Sequence, residues 1–152
     1  MQKKHLNKKV KNATKVVIDE KEFKSKLEAY CYKKLTDSGL DFKYEGETFE
    51  LIPPFEFNGD SYELRKKNGE NYFGLAKPQI KAITYTPDFI GNDWIIETKG
   101  MPNDAFPLKW KLFKKYLHDN PYLYYDLYMP RNQQQVDTVI NVILQKKYER
   151  LL

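Results

Sequence analysis

Within a span of twelve residues, Asp88, Glu97 and Lys99 bring together two carboxylates and an ammonium. They stand in Tyr85-Thr86-Pro87-Asp88-Phe89 and in Ile95-Ile96-Glu97-Thr98-Lys99-Gly100. Side chains of a strand alternate, so Glu97 and Lys99 project from one face while Thr98 points away. The tight turn Gly91-Asn92-Asp93 folds Asp88 back beside Glu97. Two carboxylates, with the backbone carbonyl of Thr98, suit a hard divalent cation such as Mg²⁺, with Mn²⁺ as its substitute. Lys99 can orient or help deprotonate a coordinated water and balance charge developing at phosphorus. In outline this is a phosphodiester-cleaving site. A surface ion-pair cluster is the competing reading, since such triplets arise by chance in charged proteins. Against it, the cluster follows apolar runs at 82–85 and 94–96, which set it at the edge of a core. Gly100 would also let backbone or ligand approach closely.

Several elements must hold these groups in place. Asp19 is a plausible N-cap for a helix carrying Phe23, Leu27, Tyr30, Cys31 and Leu35 on one face, stopped by Ser38-Gly39. Cys31 lies in that stripe and reads as a buried, inert thiol. Glu28 lies at its edge, either as surface decoration or pointing into a cleft beside the core. Residues 41–57 read as one or two strands, interrupted near Gly46 and ended by Pro53-Pro54. Residues 58–80 read as turns with a short hairpin. Strands are expected at 81–90 and 94–99, a basic amphipathic helix at 105–118, a largely buried strand at 122–129 and a closing helix at 133–150. That order predicts an α/β fold, a mixed central β-sheet flanked by α-helices.

Composition narrows the class. The chain has 152 residues, 41% hydrophobic and 31% charged, with twelve Tyr and nine Phe, which describes a globular chain rather than a disordered one. No apolar stretch reaches the ~20 residues a membrane span requires, and Val16-Val17-Ile18 is too short for a signal peptide. One Cys and two distant His exclude an internal disulfide and a zinc finger, and suit a reducing cytoplasm. The net charge of +5 is uneven. Lys3, Lys4, Lys8, Lys9, Lys11 and Lys15 stand in an acid-free stretch, leaving 20 basic residues against 21 acids elsewhere. Residues 1–17 are therefore expected to be a basic arm and 18–152 a single domain. Such an arm binds nucleic acid or is simply a solvated terminus.

The motif YTPDF…IIETKG resembles the PD-(D/E)xK nuclease signature. Within that superfamily it is similar to the endonuclease I family of T-odd phages, the Holliday-junction resolvases. Ser25-Lys26-Leu27-Glu28, Ser38-Gly39-Leu40 and Phe42-Lys43-Tyr44-Glu45 match that family's opening helix and first strand in order and spacing. A second likeness is to small phage nucleases with an FxSKxEAxxYxxL helix and a KxKLF-type helix after the motif. Phe23-Lys24-Ser25-Lys26-Leu27-Glu28-Ala29 and Lys109-Trp110-Lys111-Leu112-Phe113 fit that version. The resemblances cover residues 23–57 and 81–118.

The resemblance implies a restriction-endonuclease-like core in which Asp88 and Glu97 bind metal and Lys99 serves the water. Glu28 then reaches the same metal site, through water or a second ion. It implies Mg²⁺-dependent hydrolysis of DNA with a 5′-phosphate product, branched or junction DNA as substrate, and a phage-encoded enzyme acting in the bacterial cytoplasm. A homodimer held through the 41–57 strands is also implied. Lys43 occupies the position of a further family acid, and Glu45, two residues on, lies on the same strand face and is the candidate substitute. The 58–80 connection is longer than the family's.

Lys109, Lys111, Lys114 and Lys115 follow the motif as a candidate phosphate clamp, or as the solvated face of an amphipathic helix. His118 at that helix's end fits a dipole-satisfying role better than a general base. Residues 41–63 hold seven acids and one Lys, a face that repels phosphate unless a metal intervenes. The alternatives to an endonuclease are a non-catalytic DNA-binding protein that retains the fold and an accessory protein of a phage replication or packaging machine.

Overall fold

The computed structural model describes residues 15–101, 103 and 105–152. Among these residues, twelve short strands and three helices occur in this order: β1 Val16–Ile18, β2 Lys21–Phe23, α1 Lys26–Ser38, β3 Lys43–Tyr44, β4 Phe49–Ile52, β5 Phe55–Glu56, β6 Tyr62–Lys67, β7 Glu70–Leu75, β8 Gln79–Ile80, β9 Ile83–Tyr85, β10 Phe89–Ile90, β11 Trp94–Ile96, α2 Phe106–Asp119, β12 Asp126–Tyr128 and α3 Gln133–Leu151. The class is mixed α/β, as the element pattern predicts.

The central sheet has the order β12-β11-β10-β3. β12 runs parallel to β11 and the other pairs are antiparallel. Its centre is the β10–β11 hairpin, closed where the Gly91 N–H donates to the Trp94 carbonyl at 2.9 Å. A Cβ on Gly91 would stand 2.2 Å from the Trp94 ring, so this turn requires glycine. Both faces of the hairpin are covered, which explains why every residue of its two strands is apolar. Phe89, Trp94 and Ile96 pack with α1 and α3. Ile90 and Ile95 face the other way, against Phe106, Trp110 and Phe113 of α2. Burying each such side chain stabilises the fold by about 1.5–3 kcal/mol.

Four expectations about elements need correction. Asp19 caps no helix. With Glu20 it forms the left-handed turn of the β1–β2 hairpin, at φ 50° and 63°. The helix starts later because Ser25 is the better cap, its Oγ accepting from the Glu28 N–H at 3.1 Å. The stop at Gly39 is as expected, with φ 72°. Second, 81–90 is not one strand. Pro87 has no N–H to continue a ladder, so β9 pairs with β4 while β10 pairs with β3 and β11. Third, 122–129 is largely open, with Tyr122 and Tyr124 exposed and β12 only half-buried.

Fourth, Pro53-Pro54 bends the chain without ending its pairing. β4–β9, β5–β8 and β6–β7 follow one another as an antiparallel ribbon from 49 to 85. The Phe57 N–H to Pro78 carbonyl bond (2.8 Å) and the Ala76 N–H to Ser61 carbonyl bond (2.7 Å) bridge its segments. The base of the ribbon enters the core at Phe49 and Tyr85, and its tip is the Asn68-Gly69 turn at φ 50° and 83°.

Candidate active site

Glu28, Asp88, Glu97 and Thr98 are the buried polar and charged residues among those described, between 4% and 8% exposed, and they meet in one place. Carboxylates are almost never buried without partners or a ligand, so this convergence marks the position. It follows from the hairpin register. Phe89 pairs with Ile96 as the last rung of the β10–β11 ladder, and Asp88 and Glu97 are the next residue out on each strand. The β11 backbone continues along the end of β12, where the Glu97 N–H donates to the Tyr128 carbonyl (2.9 Å) and the Lys99 N–H to the Pro130 carbonyl (3.1 Å). This keeps the strand alternation past Ile96 and sets Glu97 and Lys99 on one side, Lys99 Nζ lying 3.2 Å from Glu97 Oε1.

Each acid has its own support. The Thr98 N–H and hydroxyl both donate to Asp88 Oδ2, at 2.8 and 2.7 Å. Among the described residues no donor meets Oδ1, which leaves that oxygen for a ligand. Burial pushes the Asp88 carboxyl well above the usual range, and the neighbouring Glu97 and Glu28 charges add to the shift. Glu97 Oε2 accepts from the Tyr85 hydroxyl at 2.6 Å, a charge-assisted bond. Glu28 Oε2 accepts from the Lys24 N–H at 2.7 Å and from the Tyr44 hydroxyl at 3.1 Å. Both phenols are held protonated: burial raises their pKa first, then the charge of the glutamate each one faces. Lys99 Nζ also sits 4.2 Å from the centre of the Phe106 ring, which fixes the ammonium between α2 and Glu97.

The candidate ligand set differs from the expected one. Among the described residues, the acids offering ligand atoms within 4.8 Å of one another are Glu28, Glu45 and Asp88. Glu97 stands beside that trio, engaged by Tyr85 and Lys99. Glu45 does arrive where a substitute acid was expected, but for another reason than a shared strand face. β3 ends at Tyr44, and Glu45 takes a left-handed conformation at φ 45°. Its N–H donates to the Asp88 carbonyl at 2.8 Å, and its carboxylate pairs with the Lys24 ammonium. The bond to Glu45 is the main reason the Lys24 pKa is raised. Lys43 itself is exposed.

A cleft of about 300 Å³ opens beside Glu97 and Lys99, lined also by Thr84, Thr86, Phe106 and Lys109. Of the four helix lysines, only Lys109 lines it. At 3.6 residues per turn, Lys111, Lys114 and Lys115 point away from the cleft, Lys114 Nζ lying 5.7 Å from the centre of the Trp110 ring. They are exposed, and Lys115 pairs with Asp119 at 2.8 Å. A second cleft of similar volume lies at the opposite end of the sheet, where Lys146 pairs with Asp126 and Arg150 with Asp93. Of the amino-terminal lysines, Lys3, Lys4, Lys8, Lys9 and Lys11 lie outside the described residues. Lys15 pairs with Glu22 at 2.5 Å.

Tyr85, Tyr44, Lys24 and the Thr98 hydroxyl are site residues that the sequence alone does not single out. Tyr85 and Tyr44 stand inside the YTPDF and Phe42–Glu45 stretches, but nothing in their spacing ties them to Glu97 and Glu28, which lie on other elements. Thr98 is expected to contribute only its carbonyl. Lys24 does stand inside the quoted helix motif, but nothing in its spacing ties it to Glu45.

No curated protein and no solved structure matches the chain. A family model described as "Protein of unknown function (DUF1064)" matches residues 8–130, which include every acid of the site as well as Lys99. That match spans more than three quarters of the sequence, and the chain belongs to the DUF1064 family.

Proposed function

We propose that this protein is a metal-dependent endonuclease of the PD-(D/E)xK type, hydrolysing phosphodiester bonds in DNA on a restriction-endonuclease-like core. The observation that carries the reading is the burial of three carboxylates and Thr98 at the open end of one hairpin, with Lys99 beside them. The donor chemistry fits a divalent cation. Glu28, Glu45 and Asp88 each offer a hard ligand atom close enough to share one ion, and Thr98, whose carbonyl is the expected further ligand, adjoins Asp88. When bound, Mg²⁺ or Mn²⁺ supplies Lewis acidity at the phosphoryl oxygens and makes a water more acidic.

The chain's own residues supply the rest. Lys99 Nζ, held between Glu97 and the Phe106 ring, orients the attacking water and offsets negative charge as it develops at phosphorus. Tyr85 keeps Glu97 in place by donating to Oε2, which leaves Oε1 for Lys99. Lys109 lines the cleft and suits the phosphate backbone approaching the site. The water oxygen attacks phosphorus in line, the bond to O3′ breaks, and the products are a 5′-phosphate and a 3′-hydroxyl. Branched DNA and a phage enzyme acting in bacterial cytoplasm follow from the resemblance of YTPDF…IIETKG to the junction resolvases.

A nicking assay with supercoiled plasmid and a four-way junction, run with Mg²⁺, with Mn²⁺ and with EDTA, tests the proposal. Metal-dependent nicks that disappear in Asp88→Asn support it. Binding of DNA without cleavage under all these conditions would make the protein a non-catalytic binder instead.

A further inference from the structure

The ribbon carries an apolar face that nothing among the described residues covers. β6 and β7 pair with each other and with no other described strand. Their register sets Tyr62 opposite Leu75, Leu64 opposite Phe73 and Lys66 opposite Asn71. Cross-strand partners share a face, and the pleat alternates, so these six residues form one side of the hairpin. Glu63, Arg65, Lys67, Glu70, Tyr72 and Gly74 form the other. Tyr62, Leu64, Phe73 and Leu75 are 59%, 73%, 74% and 54% exposed. Taking ~200 Å² for each large side chain when fully exposed, they present roughly 500 Å² of apolar surface. That reaches the size at which a patch on a soluble protein serves an interaction.

We infer that this face, Tyr62, Leu64, Phe73 and Leu75 of the β6–β7 hairpin, docks on the same face of a second copy of the chain. The proposal is independent of the nuclease reading. Shape is the first argument. The four side chains form a checkerboard, with the two rings on one diagonal (centroids 6.1 Å apart) and the two leucines on the other. A two-fold axis lying in the interface, along the strands or across them, sets each ring of one copy over a leucine of the other. The pattern is therefore self-complementary, as an isologous contact demands. Two such hairpins stack as a small sandwich with sheets about 10 Å apart.

Area is the second argument. A standard interface takes roughly 800 Å² from each partner, and homodimer interfaces are about 65% apolar. Roughly 500 Å² of apolar surface with a rim from Lys66 and Asn71 meets that composition. Charge is the third. The face holds a single cation, Lys66, so it offers nucleic acid almost none of the phosphate neutralisation on which such binding depends. The opposite face, with Arg65 and Lys67 against Glu63 and Glu70, is balanced. This favours a contact at 62–75 over the 41–57 strands, where Phe49 is buried, Leu51 packs against the core and the half-exposed Phe55 and Phe57 offer a smaller apolar surface.

Sedimentation of the full chain at tens of micromolar tests the assembly without reference to activity. The wild type is expected to be a dimer. Leu64→Lys with Phe73→Lys, on exposed positions outside the core, should raise the dimer dissociation constant by about a hundredfold or more. It should also leave the far-ultraviolet circular dichroism and the response of the melting temperature to Mg²⁺ unchanged. A second readout does not depend on the behaviour of that variant. The single native thiol, Cys31, is buried, so a cysteine introduced as Leu64→Cys reports only on the ribbon. In the stacked pair the two introduced thiols are offset across sheets about 10 Å apart, too far for a direct disulfide, so a short bismaleimide should cross-link them to a dimer, whereas Lys67→Cys on the opposite face should stay monomeric. A monomeric wild type, a double variant that still dimerises, or equal cross-linking from both faces would each overturn the proposal.

Discussion

Replacing Asp88 with Asn should make the metal-free protein more stable while removing its response to metal. Asp88 Oδ2 accepts two bonds from Thr98, and an amide oxygen still accepts both, though less strongly than a carboxylate. What changes is the other end of the group. Glu28, Glu45 and Asp88 hold ligand atoms within 4.8 Å of one another. At an effective dielectric near 20, two carboxylates at that separation repel by about 3 kcal/mol. In the variant the negative charge is gone, and the amide NH₂ adds a donor beside those acids. Allowing for relaxation and for the Lys24 ammonium already paired with Glu45, a gain of about 1–2 kcal/mol remains. For a domain of this size that raises Tm by about 2–8 °C.

The pH dependence carries the sign. Burial and the neighbouring carboxylates raise the Asp88 pKa well above its ordinary value of 3.8. Between the unfolded and the folded pKa the native wild type binds the extra proton, so its stability falls as pH rises through that window. The advantage of the variant is therefore absent in acid: wild type and Asp88→Asn should melt alike below the unfolded pKa. They should separate as pH rises, and the gap should level off above the folded pKa. Added Mg²⁺ or Mn²⁺ should close it from the wild-type side, because a ligand at about 100 times its Kd stabilises by about 2.7 kcal/mol. Thermal melts in EDTA and in divalent cation, from acid to neutral pH and just above, read all of this. A variant that melts lower than wild type in EDTA at neutral pH would refute the electrostatic argument. A wild type indifferent to both cations would refute the metal site.

Lys99→Ala should abolish nicking while DNA binding and the metal-induced rise in Tm persist, and robust cleavage by this variant would remove Lys99 from the chemistry. Tyr85→Phe leaves a buried oxygen of Glu97 without its donor, so it should lower stability by about 1–3 kcal/mol, and an unchanged melt would mean that the bond contributes nothing. Deleting residues 2–15 should flatten the slope of log K against log salt for DNA binding by about 0.9 for each phosphate that those lysines neutralise. The Tm of that deletion should stay close to wild type, and an identical slope would make the stretch a bystander. Cys31 should react with a thiol reagent in mild alkali only on unfolding, because burial pushes its pKa up and closes access; rapid labelling of the native chain would contradict the packing of α1.

Local geometry determines what is legible in the sequence. Asp88 comes beside Glu97 because a tight turn at Gly91 sets the register of two neighbouring strands. Lys99 sits on the Glu97 side because the strand period is two. Cys31 and Leu35 are buried because helical spacing places them together. The failures have equally local causes. Asp19 and Ser25 are both good caps, and only the pairing of Val16–Ile18 with Lys21–Phe23 decides between them. Pro87 falls inside the strand expected at 81–90, yet it hands the chain from one sheet to another. The ribbon is hidden for a related reason: Pro53-Pro54 signals an end to a strand, whereas the partner strand carries the pairing past the bend.

Glu45 shows where the period-two argument stops. Counting from Lys43 selects the right residue, but the left-handed turn at φ 45° is what aims it at Glu28 and Asp88. A non-glycine residue held there costs about 1 kcal/mol or more and persists only where its surroundings over-determine it. Here they do: the Asp88 carbonyl holds its N–H and Lys24 holds its carboxylate. A chain selected for stability alone would relax that turn and replace the buried acids with apolar groups. Strain at Glu45, an oxygen of Asp88 left without a donor among the described residues and three carboxylates gathered at one strand end all disfavour the metal-free fold, and a divalent cation would relieve the repulsion among them.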